Sequence, residues 1–98
     1  MPIKTTRFDS ADYLDSPEAI EAYLEDALET NDPAIVAHAL GTIARAKGMA
    51  GVAREAGLSR ESLYKTLSAD GNPELATLLK VVAALGLKLA IAKADAAA

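Results

Sequence analysis

The chain has no cysteine and no tryptophan, and its 98 residues include only three tyrosines and one phenylalanine. Without cysteine it can form neither a disulfide nor a thiolate metal site, which fits a reducing compartment. One histidine, His38, and no polar pairs around a glycine-rich loop leave nothing to activate a nucleophile or hold a metal. The residues therefore speak against an enzyme and call for no metal and no cofactor. No apolar run approaches the roughly 18 residues that a membrane span requires. The opening "MPIKTTRFDS" also lacks the apolar core of a secretory signal. The expectation is a soluble cytoplasmic protein with no membrane partner.

Hydrophobic residues make up 51% of the chain, enough for one packed domain. With so few aromatics, that core must be aliphatic, and its abundant alanine favours helix. The net charge of −4 argues against nucleic acid if taken whole. Its distribution is uneven. Residues 1–32 hold Lys4 and Arg7 against nine acids, a net −7, whereas residues 33–98 hold eight bases against five acids, a net +3. An acidic third followed by a mildly basic remainder suggests two different partners.

"TTRFDSADYL" starts with β-favouring residues and breaks at Asp9 and Ser10, so residues 1–15 read as an extended arm. In "DSPEAIEAYLEDALE", Ser16 is an N-cap, Pro17 suits the first helical position, and Glu18 and Glu21 complement the helix dipole. Ile20, Tyr23, Leu24, Ala27 and Leu28 follow helical spacing and predict one buried stripe. Asp32 and Pro33 repeat the start signal for a second helix. Its inner face would be Ile35, Val36, Ala39, Leu40 and Ile43, with His38 an ordinary residue on the outer side and Gly48 the stop. Two short helices follow, over about 49–56 and 60–68. After the turn signal "DGN", Asn72 caps a fifth helix whose buried face is Leu75, Leu78, Leu79, Val82 and Leu85, ended by Gly86. "LKLAI" alternates like a strand, and "KADAAA" is a tail. The domain proper is thus residues 16–86, with strand and tail over 87–98.

The glycine between the two short helices bears on function. Two helices meeting at a sharp angle need a small residue at the contact and a residue that tolerates positive φ in the turn. Ala53 and Gly57 fit those roles, while Leu58 and Leu63, backed by Val52, fill the space between the helices. This is helix-turn-helix spacing. Ser59 caps the second helix and leaves Arg60, Glu61, Tyr64 and Lys65 outward. The start of that helix would enter the major groove of DNA. The same spacing could also close a helical hairpin in a bundle that binds nothing. Between Arg45 and Lys65 there are five bases and two acids, which favours DNA. The expected contacts are Arg60 on a base edge, Arg54 and Lys65 on phosphates, and Ser59, Glu61, Tyr64 and Asn72 beside them.

"AREAGLSRESLYKTLS" followed by "GNPELATLLKVVAALGLKL" resembles the Xre/Cro-type helix-turn-helix of HigA-like antitoxins, the probable addiction-module antidotes of bacteria. "TTRFDSADYLDSPEAIEAYLEDALE" is similar to the N-terminal segment of the same antidotes, so the resemblance covers about residues 5–91. It implies an all-α fold: a five-helix, lambda-repressor-like domain with an N-terminal arm and a short C-terminal β-strand. It also implies a protein that binds its operator as a repressor and pairs with a small basic toxin of the RelE/ParE type. Many Xre-type domains hold a phosphate with glutamine at the start of the first motif helix. Here Met49 stands there, so that anchor is missing or replaced by backbone N–H.

For the toxin, Phe8, Tyr13 and Leu14 are the candidate apolar anchors, with Asp12, Glu18, Glu21 and Glu25 supplying charge. Against this, the aromatics could fold onto the domain's own core, and the glutamates could be a plain solvated face. Leu87, Leu89 and Ile91 would pair antiparallel with a second copy to form a homodimer, unless "TTRF" of the same chain takes that place. A phage-type regulator with no toxin partner is the alternative reading, since it needs the helix-turn-helix but not the acidic third.

Overall fold

Proline is well suited to the first position of a helix, where its missing N–H would have no intrahelical acceptor. Two helices begin this way in the computed structural model, which describes residues 14–68 and 72–94. In α1 (Pro17–Glu29) the Ser16 hydroxyl accepts from the Ala19 N–H at 3.1 Å. In α2 (Pro33–Lys47) the Asp32 carboxylate accepts from the Ala34 N–H at 2.9 Å. Thr30 ties the turn between them: its hydroxyl donates to the Ala27 carbonyl and accepts from the Asp32 N–H. Beyond Gly48 come α3 (Met49–Ala56), α4 (Arg60–Thr66) and α5 (Leu75–Ala84). The described residues are thus all-α.

Helix α1 packs on α2, while α3 is central and touches α2, α4 and α5. The core joins Ile20 and Leu24 of α1, Leu40 and Ile43 of α2, Val52 of α3, Leu63 of α4, and Val81 and Val82 of α5. Among the described residues, no buried side-chain nitrogen or oxygen lacks a partner. No described helix is long and apolar enough to cross a membrane.

Several buried positions expected from periodicity lie outside the core. Tyr23 is half-buried, and Leu28, Ile35, Leu75 and Leu79 are exposed. Helical spacing marks a broad apolar arc, but a helix covered by one neighbour buries only the part of that arc facing it. Helices α1 and α5 each have essentially one helical neighbour here.

The fifth helix begins later than expected. Asn72 does not cap it. Glu74 is the N-cap residue, with no side-chain cap bond, and its carbonyl accepts the first helical bond from the Leu78 N–H at 2.9 Å. Asn72 is exposed in the preceding coil. The helix is held by the burial of Val81, Val82 and Leu85 rather than by a capping side chain.

The strand expected from Leu87, Leu89 and Ile91 calls for a second copy. Among the described residues of one chain, 87–94 form no strand. Gly86 takes a left-handed conformation (φ 79°), and the Leu87 N–H reaches back to the Val82 carbonyl at 3.1 Å. That six-to-one bond is a Schellman ending, which draws the residue after the glycine against the last helical turn. Leu87 accordingly packs on the core, whereas Leu89 and Ile91 stay exposed. An extended segment needs a ladder partner to become a strand, and the described residues of one chain do not supply it; the rival partner TTRF lies outside them.

Candidate nucleic-acid interface

The break between α3 and α4 follows from Gly57. Its φ of 74° and ψ of 31° are left-handed, and the Leu58 N–H bonds to the Ala53 carbonyl at 2.8 Å. This second Schellman motif turns the chain, and Leu58 packs against the core. Nothing lies within 4 Å of where a Cβ on Gly57 would stand. A substitution there meets backbone strain alone. Gly57→Ala is expected to lose roughly 1–2 kcal/mol of unfolding free energy. Gly57→Asn should recover part of that loss, since asparagine visits the left-handed region more readily. Urea unfolding of the three proteins checks this, and an alanine variant as stable as the parent would rule it out.

Three residues after Gly57, α4 begins. The Ser59 hydroxyl accepts from the Ser62 N–H at 3.0 Å, so Ser59 fixes the helix start. Leu63 is the one fully buried side chain of α4, at 0% exposure, and Leu67 follows it into the core. Everything on the other side is open: Arg60, Glu61, Tyr64 and Lys65 are all exposed. The Arg60 guanidinium lies 6.0 Å from the centre of the Tyr64 ring, one helical turn along, near the outer limit of a cation–π contact. Ser59, Arg60, Glu61 and Tyr64 line a shallow depression of about 390 Å³. Glu61 in the first turn and Lys65 in the last both suit the helix dipole.

Arg54 is exposed on the last turn of α3, with its guanidinium lying back toward Gly51. Arg45 and Lys47 occupy the last turn of α2, at the entry to α3. Both belong to the basic run expected beside the motif, and Gly48 alone separates their helix from α3. Met49 is buried in the core. Its side chain is therefore turned away from any ligand, and a phosphate contact at that point would fall to the backbone.

The residues expected to meet a protein partner fall into three groups. Glu18, Glu21 and Glu25 are exposed along the solvent side of α1, opposite Ile20 and Leu24. Leu14, expected among the outward apolar anchors, is instead buried in the domain's own core at 8% exposure. It stands two residues before the Ser16 cap of α1. Phe8, Asp12 and Tyr13 lie outside the described residues. Among the described residues, no cluster of three or more His, Cys, Asp or Glu is arranged to hold a metal.

The family described as "Probable addiction module antidote protein" matches residues 4–93. A Haemophilus influenzae protein described only as an uncharacterized protein is 48% identical over 84 residues, covering 86% of this chain and 87% of its own. No solved structure matches.

Proposed function

The chain belongs to the family of probable addiction module antidote proteins, and on that premise we propose that it is a HigA-like antitoxin with two binding surfaces. One covers a small basic toxin of the RelE/ParE type. The other, the α3–α4 helix-turn-helix, binds operator DNA and represses its own transcription as a dimer. Family membership covers the acidic N-terminal third as well as the motif, which favours the antitoxin reading over a phage-type regulator that has no toxin.

The observation that carries the DNA half is the sidedness of α4. Leu63 ties the helix to the core while Arg60, Glu61, Tyr64 and Lys65 all face solvent. A helix presented in this way can lie in the major groove, which is wide enough to admit it. Arg60 suits a bidentate contact to guanine, and Glu61 can accept from the amino group of cytosine. Lys65 and Arg54 contribute charge toward phosphates, and Asn72 lies on the coil leading into α5. Tyr64 adds an aromatic face beside Arg60.

Fluorescence anisotropy against DNA from upstream of the reading frame tests these roles. Arg60→Ala should cost roughly 1–3 kcal/mol of binding and relax selectivity at one base pair. Lys65→Ala should weaken all sequences alike and flatten the salt dependence by about one unit of slope. Arg60→Ala binding the operator as tightly as the parent would remove Arg60 from base readout.

The toxin half rests on charge. A small ribonuclease must attract RNA, so its working surface is expected to be rich in lysine and arginine. The net −7 of residues 1–32 would steer this chain to that surface. The exposed glutamates of α1 are a rigid part of that acidic surface.

A further inference from the structure

Gly41 stands in the middle of α2, among residues rich in alanine. Inside a helix glycine is less favourable than alanine, because it gives up more backbone freedom on folding. Its backbone does not call for glycine either, since Gly41 is not among the residues with positive φ. What calls for it is room. A Cβ at Gly41 would stand 3.2 Å from the backbone oxygen of Leu67 and 3.6 Å from its Cβ. Leu67 ends α4: its N–H donates to the Leu63 carbonyl at 3.0 Å, and its side chain is buried. The far end of α4 therefore lies directly on the backbone of α2.

We propose that Gly41 is a positioning residue for α4. By bringing no side chain to the contact, it sets how closely the far end of α4 approaches α2. With that approach it sets the tilt at which Arg60, Tyr64 and Lys65 are presented. Gly57 and the Ser59 cap fix the start of α4, and Leu63 fixes which side faces inward. The distance of the other end from α2 is left to Leu67 on Gly41. The obstructing atom is a backbone oxygen, so a larger residue at 41 is not relieved by a side chain turning aside. The chain itself must move. Helix α4 has seven residues, about 10 Å of helix, and solvent along its outer side, so it yields outward as a unit. For alanine its end must give by a few tenths of an ångström, and for valine by more. Close-packed contacts register even one added methyl group. The purpose of this device, though not its test, rests on the repressor reading.

Three measurements on the full chain, each made with Gly41→Ala and Gly41→Val, test it. Residual dipolar couplings of the α4 amides, read against those of α2, should shift in both variants, and further for valine. Affinity for upstream DNA should fall at least threefold for alanine and at least tenfold for valine. Gly51→Ala in α3 is the control for urea unfolding, since a Cβ there meets only the Arg54 guanidinium, at 4.0 Å. It should raise the midpoint, because alanine favours helix. Gly41→Ala should not raise it, because the displaced Leu67 offsets the same gain. If valine prevents folding, alanine alone decides. Couplings or DNA affinity equal to those of the parent would overturn the proposal, as would a midpoint raised as far as in Gly51→Ala. An alanine variant that unfolds, or loses as much stability as Leu63→Ala, would make Gly41 a core residue rather than a positioning one. If the parent itself does not bind upstream DNA, the repressor reading fails separately, and the couplings still decide whether Gly41 sets the tilt.

Discussion

Replacing Leu63 by alanine is expected to lower the unfolding free energy by roughly 2–5 kcal/mol, the range for truncating a fully enclosed leucine. Leu63 has no exposed surface and is the only buried residue within α4. A seven-residue helix is far too short to persist in isolation, so α4 exists because it is packed. Truncation therefore does more than weaken the fold: it loosens the central packing contact that aims Arg60, Tyr64 and Lys65 in a common direction. Operator affinity should fall further in Leu63→Ala than in Arg60→Ala, although Leu63 touches no DNA. Urea unfolding and anisotropy on the same preparations measure both effects. As a control, Ser62→Ala on the exposed side of α4 should leave the midpoint nearly unchanged, within about 0.5 kcal/mol. A Leu63→Ala midpoint matching the parent would mean that α4 is not held as described.

The second large effect concerns the N-terminal boundary. Two truncations only two residues apart should behave differently. Removing residues 1–13 leaves Leu14, the Ser16 cap and α1 intact, so stability and operator binding should be kept. Toxin neutralisation should be lost, because Phe8, Asp12 and Tyr13 go with the segment. Removing residues 1–15 also takes Leu14 from the core, at an expected cost of at least the 2–5 kcal/mol of a buried leucine truncation. Thermal unfolding, anisotropy and growth rescue on co-expression with a small basic toxin of the RelE/ParE type separate the two. Full neutralisation by the shorter truncation would exclude the first 13 residues as the inhibitory element. Equal stability of the two truncations would contradict the burial of Leu14.

Much of this protein was legible locally. Ser16 with Pro17, and Asp32 with Pro33, mark helix starts because their bonds reach only two or three residues along the chain. Gly57 marks the break because its backbone conformation is a property of the residue itself, and Leu63 follows as the inward side chain of the helix after it. The exposure of Arg60, Glu61, Tyr64 and Lys65 follows from the same helical phase. The acidic third and the basic remainder are plain counts.

What only the tertiary structure decided is how much of each apolar arc finds a neighbour. Leu28, Ile35, Leu75 and Leu79 have the spacing of core residues, and nothing in the sequence separates them from Leu24, Leu40 or Val82; the side on which another helix lies does. Leu14 reads as an outward anchor among acids, yet the chain's path buries it in the core. Leu87, Leu89 and Ile91 alternate like a strand, yet a strand requires a partner, and the Schellman bond at Gly86 commits Leu87 to its own core first. Local hydrogen bonds are encoded within a few residues. Burial depends on which elements meet, and that is set by the whole chain at once.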